Sequence, residues 1–126
     1  MFEVTVEHTF SAGHALREYK GKCENVHGHN YRVQVTVEGT ELNRIGLLVD
    51  FVDLKRTVRA VCERLDHQFI NDLEPFTTLN PSAENIARYL HDHVAGQLDL
   101  TRADPPSRIS QVKVWETDTS IAVYRP

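Results

Sequence analysis

Two long stretches of alternating residues constrain this chain more than any other feature. In residues 2–14, Phe2, Val4, Val6, His8, Phe10, Ala12 and His14 share one parity, against Glu3, Thr5, Glu7 and Thr9 on the other. In residues 29–38, His29, Tyr31, Val33, Val35 and Val37 stand against Asn30, Arg32, Gln34, Thr36 and Glu38. Side chains of a strand alternate between faces, so a period of two predicts strands with one buried face. The intervening Arg17 to Val26 is polar and predicts a loop, and Gly13 offers a point where the first strand can bend.

The period then changes. Asp50 is placed as a helix N-cap, and Phe51, Leu54, Val58, Val61, Cys62 and Leu65 follow at three- and four-residue steps, ending near Asp66-His67. A loop through Asn71-Asp72, Pro75 and Thr77-Thr78 leads to Asn80-Pro81, where a second helix is expected with proline at its first position. Its apolar stripe is Ala83, Ile86, Ala87, Leu90, Val94 and Leu98. After Asp104-Pro105-Pro106-Ser107, residues 111–116 and 120–124 read as two further strands, with Glu116 to Thr119 in or beside their turn. The order β-β-α-α-β-β points to an α+β fold: an antiparallel four-stranded sheet with both helices on one face, whose two free edges need protection or use in assembly.

Length and composition bound the function. A chain of 126 residues, 40% hydrophobic and 25% charged, fits a single globular domain over residues 1–126 that buries a core without disulfides or a structural metal. Fourteen basic against 18 acidic residues give a net charge of −4. That balance disfavours a general nucleic-acid binder or a polybasic membrane binder. No apolar run is long enough to span a membrane, and Glu3 and Glu7 stand where a signal peptide needs a basic start. Cys23 and Cys62 do not form a secreted disulfide framework, so the cytoplasm is the expected compartment.

Seven histidines are present, and their spacing separates them. His27 and His29 share strand parity, roughly 6.6–6.8 Å apart along an extended chain. His14 ends the preceding strand on its apolar face. Three neutral imidazoles suit a catalytic Zn²⁺ with an open fourth position, and ligand type alone also admits Fe²⁺. His91 and His93, two apart on a helix, are rotated by about 200° and cannot readily share an ion, so they read as solvated. His8 lies about 20 Å along the strand from His14. Cys23, between Lys22 and Glu24, is either a fourth ligand of a structural site or a proton-transferring thiolate. Cys62 belongs to a helix stripe and reads as core. Asp66-His67 is a carboxylate–imidazole pair at a helix end, which by itself reads as a polar terminus. Glu116 shares parity with Val112 and Val114, and its side chain turns either inward or out to solvent.

Phe10-Ser11-Ala12-Gly13-His14, Cys23-Glu24-Asn25-Val26-His27-Gly28-His29-Asn30-Tyr31, Leu65-Asp66-His67, Asn80-Pro81-Ser82-Ala83-Glu84-Asn85 and Trp115-Glu116-Thr117, in this order, resemble the 6-pyruvoyltetrahydropterin synthase/QueD family. The resemblance spans almost the whole chain and implies the tunnelling fold of that family. It implies that His14, His27 and His29 hold zinc, that Cys23 is the catalytic base, that Asp66 and His67 relay protons, and that Glu116 anchors a pterin ring. It further implies trimers stacked in pairs as a homohexamer, with sites between subunits. The three-residue spacer from Cys23 to His27 resembles the 6-carboxy-5,6,7,8-tetrahydropterin synthases of queuosine biosynthesis. The pyruvoyl branch typically carries a longer insertion there. The implied substrate is 7,8-dihydroneopterin triphosphate, with Arg17, Lys20 and Lys22 as candidates for its phosphates by proximity to Cys23. The alternatives are a 6-pyruvoyltetrahydropterin synthase and a non-catalytic His₃Cys zinc module.

Overall fold

A computed structural model describes residues 1–21 and 24–126; Lys22 and Cys23, the latter expected as the catalytic base, lie outside the described residues. The two alternating stretches form β1 (Phe2–His14) and β2 (His27–Gly39). They pair antiparallel along their full length, from Phe2 opposite Gly39 to His14 opposite His27. The second strand thus starts two residues before the alternation from His29, taking in His27 and Gly28. β3 (Arg108–Thr117) and β4 (Ser120–Tyr124) complete a sheet in the order β1-β2-β3-β4.

One face of this sheet is apolar because the parities agree. Val6 and Phe10 of β1, Tyr31, Val33, Val35 and Val37 of β2, and Ile109, Val112 and Val114 of β3 are buried in one cluster. The cluster also takes in Leu54, Val58, Val61 and Cys62 of α1 (Phe51–Glu63), and Ile86, Ala87, Leu90 and Val94 of α2 (Ala83–Gln97). The first helix lies over β1, the second over β3 and β4, and the helices touch each other. The expected β-β-α-α-β-β order with both helices on one face is the observed architecture. Burial pushes the Cys62 thiol up to about 12, with the Asp66 and Glu63 charges adding to the shift, so Cys62 packs as a small neutral hydrophobe. Among the described residues, no helix is long and apolar enough to cross a membrane.

Three boundaries differ from the sequence expectation, each for a local reason. The third strand starts at Arg108 rather than Gln111, because the pairing with β2 shifts register between Thr36 and Val37. Ser110 is the extra residue, and its hydroxyl donates to the Thr36 carbonyl oxygen at 3.3 Å. A bulge places two residues opposite one, so Ile109 and Val112 both face the core while the alternation breaks between them. The first helix ends at Glu63, and Arg64 to His67 continue as turns. The second helix begins at Ala83, not Pro81: Ser82 is its N-cap, its hydroxyl accepting from the Asn85 N–H at 3.2 Å. At the other end of β2, Gly39 is closely packed: a Cβ there would lie 2.6 Å from Leu48 Cδ1 and displace that side chain.

His91 and His93 are less solvated than their spacing suggests. His91 packs 5.2 Å from Tyr124 and His93 4.1 Å from Tyr89, centroid to centroid. His93 Nδ1 is 2.8 Å from Arg64 Nη1, a contact between the end of α1 and α2. A guanidinium only donates, so this nitrogen accepts and the ring is neutral. Burial first, then the Arg64 charge, lower the His93 pKa below its ordinary 6.5, with Asp92 opposing. The unfolded chain therefore binds this proton more readily than the native one. The contribution of His93 to stability is intact above pH 6.5 and declines as pH falls through 6.5 and the lower native pKa. Thermal melts from pH 8 to pH 5 are expected to show a smaller acid-side loss in His93→Gln than in the parent chain; equal losses would assign the pH dependence to other groups.

Candidate metal and active site

The His-rich end of the β1–β2 ladder is built by register. His14 pairs with His27 and Ala12 with His29, so three histidines are brought to one end of two adjacent strands. His14 is 2% exposed. Its ring lies 4.9 Å from that of His29, edge to face. Tyr31 supports both from the core side, with ring centroids 5.9 Å from His14 and 5.6 Å from His29, and it stacks on Phe10 at 4.9 Å. The Tyr31 hydroxyl is buried with no hydrogen-bond partner among the described residues. Burial, then the charges of Glu116 and Glu24, push its pKa above the ordinary tyrosine range, so it stays a neutral phenol.

Glu116 reaches these rings from β3 by means of a second bulge. The β3–β4 register shifts between Trp115 and Thr117, leaving Glu116 as the extra residue. Just before it, Arg32 stacks its guanidinium 3.9 Å above the Trp115 ring, which fixes the strand at that point. The side chain turns inward: its Oε1 is 3.4 Å from His29 Nε2 and 3.9 Å from His14 Nε2. Two ligands of a tetrahedral ion bound at 2.0–2.1 Å lie about 3.4 Å apart, so these three atoms span a cation-sized gap. Within the described residues, His14, His29 and Glu116 form the group whose ligand atoms all lie within 4.8 Å of one another.

Charge and tautomer also suit a cation. His14 Nδ1 lies 2.7 Å from the Pro81 carbonyl oxygen. A carbonyl only accepts, so Nδ1 carries a hydrogen, and Nε2 of the neutral ring is the nitrogen left with a lone pair on the Glu116 side. Burial lowers the His29 pKa, with the neighbouring His14 and His27 adding to the effect and Glu116 opposing it. Metal ligation needs neutral imidazole, and the surroundings of His29 favour that form. His27 stands differently. It is half exposed, its Nε2 lies 3.8 Å from Glu24 Oε2, and its ring centroid is 6.4 Å from that of His29. In this structure Glu116, which the sequence reading assigned to a pterin, occupies the corner beside His14 and His29, and His27 stands outside it.

Asp66 and His67 are pinned to the edge of β1 near the same end. The Ser11 N–H donates to Asp66 Oδ1 at 2.9 Å, and the His67 N–H donates to the Ser11 carbonyl at 2.6 Å. The Gly13 N–H donates to the Gln68 carbonyl at 3.0 Å. His67 holds a left-handed backbone, φ 57°, within this pairing, a conformation uncommon for a residue with a side chain. Its Nδ1 is 3.0 Å from Asp66 Oδ1, and the ring is 81% exposed. The Ser11 N–H holds the Asp66 carboxyl below the usual carboxylate range, with His67 reinforcing it. A groove of about 410 Å³, lined by Ser11, Gly13, Gly28, His29, Asn30 and His67 among others, runs from His67 to His29.

Two asparagines that the sequence reading passed over extend this construction. Asn71 accepts from the Ala15 N–H at 2.9 Å and donates to the Ala15 carbonyl at 2.7 Å. Asn80 does the same with Arg17, at 2.8 and 3.0 Å. Side-chain amides thus take the place of a neighbouring strand just past His14. A sequence carries no periodic signal for such a pairing, because each asparagine is remote in sequence from its partner. The Arg17 guanidinium is engaged with the carbonyls of Phe76, Leu79 and Asn71, at 2.7, 3.3 and 3.4 Å, and so ties these segments to the end of β1. Lys20 is exposed beside Tyr19, 5.4 Å from its ring centroid.

A sequence model of the 6-pyruvoyl tetrahydropterin synthase family matches residues 3–126. The chain belongs to this family. It is 41% identical over 130 residues to the 6-carboxy-5,6,7,8-tetrahydropterin synthase of Bacillus subtilis (strain 168), covering 99% of this chain and 86% of that one. It is 35% identical over 136 residues to the 6-pyruvoyl tetrahydrobiopterin synthase of Drosophila melanogaster, covering 97% and 78%. The solved structure of Caenorhabditis elegans 6-pyruvoyl tetrahydropterin synthase superposes with a TM-score of 0.81 at 29% identity, covering 100% of this chain and 97% of the other. The 6-pyruvoyl tetrahydropterin synthase fold therefore holds over the whole chain, and the sheet that carries His14, His29 and Glu116 is part of it.

The Asn71 pairing makes a direct prediction. Asn71→Ala leaves the Ala15 N–H and carbonyl without their amide partner, and an unsatisfied buried polar group costs about 1–3 kcal/mol. Urea denaturation should show a destabilisation of that order; a change of a few tenths would mean that water replaces the amide freely.

Proposed function

We propose that this chain is a 6-carboxy-5,6,7,8-tetrahydropterin synthase, a zinc-dependent carbon–carbon lyase that converts 7,8-dihydroneopterin triphosphate and water to 6-carboxytetrahydropterin, acetaldehyde and triphosphate in queuosine biosynthesis. The observation that carries this reading is the convergence of His14, His29 and Glu116 at one strand end, with Asp66 and His67 pinned beside it, in a member of this family. The short Cys23–His27 spacer and the 41% identity to a relative of that name support the carboxy branch over the pyruvoyl one.

In this reading His14, His27 and His29 hold the zinc ion. Bound there, the ion supplies Lewis-acid stabilisation of negative charge on substrate oxygens. His27, half exposed and on the same strand face as His29, is free to turn toward it, and its arrival releases Glu116. The Glu116 carboxylate then has two acceptor oxygens for the amino group and adjacent ring N–H of a pterin. Cys23 removes a proton from the substrate side chain, and Asp66 and His67 relay it. The ionised Asp66 carboxylate orients His67, whose exposed ring turns toward incoming substrate. The protein works in the cytoplasm on a small molecule, without nucleic acid or membrane. β1, before the stretch from Ser11 to Gly13 that residues 66–69 cover, and β4 are the edges of the sheet, and β4 exposes Ile121 and Val123. Their pairing between copies would build the trimer and, by stacking, the homohexamer.

Incubation of the zinc-loaded protein with 7,8-dihydroneopterin triphosphate is expected to release acetaldehyde together with 6-carboxytetrahydropterin. A 6-pyruvoyl product with the carbon chain retained would assign the other branch, and no turnover with zinc bound would favour a non-catalytic His₃Cys module. Cys23→Ala is expected to keep zinc and lose about 10²- to 10⁴-fold in rate, the usual range for removing a general base.

The ligand set is tested by metal content. His27→Ala should lose stoichiometric zinc, while Glu116→Gln should retain it and bind a non-reacting pterin more weakly in calorimetric titration. The reverse pattern, zinc lost from Glu116→Gln and kept by His27→Ala, would make the His14–His29–Glu116 grouping the true ligand set.

A further inference from the structure

The segment Asn80-Pro81-Ser82-Ala83-Glu84-Asn85 has no part in the chemistry above, yet it touches the site at one atom. The Pro81 carbonyl oxygen is the partner of His14 Nδ1 at 2.7 Å, a bond buried in the core. Both flanks of Pro81 are tied down. On one side the Asn80 side chain exchanges two hydrogen bonds with the Arg17 backbone, three residues beyond His14, at 2.8 and 3.0 Å. On the other, Ser82 Oγ accepts from the Asn85 N–H at 3.2 Å in the first turn of α2, and Asn85 Nδ2 reaches back across Pro81 to donate to the Asn80 carbonyl at 2.9 Å. Between these anchors the proline ring removes a backbone rotation. Carbonyl and imidazole are therefore held in a single frame that joins the end of β1 to the start of α2.

We propose that Asn85 and Asn80 are positioning residues for His14: by fixing the Pro81 carbonyl they keep His14 in the Nδ1–H tautomer with its Nε2 lone pair aimed at the ligand site. Neither asparagine side chain has a contact with His29 or Glu116 among the hydrogen bonds of the described residues, so each acts through the carbonyl. The proposal rests on the reading of His14 as a metal ligand. Partners of this kind behind a ligating histidine typically change metal affinity by about 10- to 100-fold when removed.

Asn85 permits a test that separates this role from helix capping. It is the third residue of α2, where an aspartate is favourable to the helix because its charge meets the N-terminal dipole and can bond back to the cap. Asn85→Asp therefore preserves size and the helix start but replaces the amide donor with an acceptor facing the Asn80 carbonyl. If Asn85 merely caps α2, Asn85→Asp behaves like the parent. If it positions His14, Asn85→Asp and Asn85→Ala both bind Zn²⁺ about 10- to 100-fold more weakly. Long-range ¹H–¹⁵N spectra of the imidazole rings in the zinc-free proteins should also show His14 losing its pure Nδ1–H signature.

Wild-type zinc affinity in Asn85→Asp, or an unchanged His14 tautomer in both variants, would overturn the proposal. His14→Ala, titrated with Zn²⁺ in parallel, keeps the two readings apart. Undiminished zinc binding there would overturn the role of His14 itself. Loss of zinc there with normal binding in Asn85→Asp would overturn only the role of the asparagine.

Discussion

The pairing of β1 with β2 is the constraint on which the rest of the molecule depends. Its register sets Phe10 against Tyr31, Val6 against Val35, and His14 against His27 in one unbroken ladder. A slip by one residue would turn every side chain of one strand to the opposite face. The valines and aromatics resist such a slip because it would carry them from the core into water, at about 1.5–3 kcal/mol for each large side chain. The histidines at the end of the ladder inherit that resistance. Their mutual position is fixed by apolar residues that have no chemistry of their own.

This coupling explains why much of the site was legible in the sequence. Parity placed His14 and His29 on the buried face as surely as it placed Phe10 and Tyr31. It also put Glu116 with Val112 and Val114, and the side chain does turn inward. Parity could not show the bulge that re-aims Glu116 as an extra residue, because a bulge breaks the period on which the reading depends. The same blindness shortened the third strand at Ser110. The start of α2 was misplaced because proline tolerates the first helical position, but here the Ser82 hydroxyl caps the helix one residue later and leaves Pro81 outside. Asn71 and Asn80 were invisible for a different reason: their partners are backbone atoms more than 50 residues away in sequence, and no local pattern encodes a contact of that kind.

The polar end of the fold is kept intact by complementary bonds rather than by exposure. Three polar side chains near the site have such partners: His14 the Pro81 carbonyl, Asp66 the Ser11 N–H, and Asn71 the two backbone groups of Ala15. The Tyr31 hydroxyl stands out beside them, since it lacks a partner among the described residues. It is carried into the core by a ring that packs against Phe10 and the imidazoles of His14 and His29, and the area buried by that ring outweighs an unmade bond of about 1–3 kcal/mol.

The excursion that links β1 to β2 is fastened at its base. The Leu16 N–H donates to Glu24 Oε1 and the Glu24 N–H to the Leu16 carbonyl, while Arg17 is held by Asn80. Chain added between Arg17 and Glu24 would only enlarge a loop that is already closed, and doubling a flexible loop costs roughly 0.6 kcal/mol. The fold can thus accept insertions and deletions in this segment during evolution without re-solving the geometry of the histidines. The reach and chemistry of the residues carried on the loop are then free to diversify while the strand end beneath them stays constant.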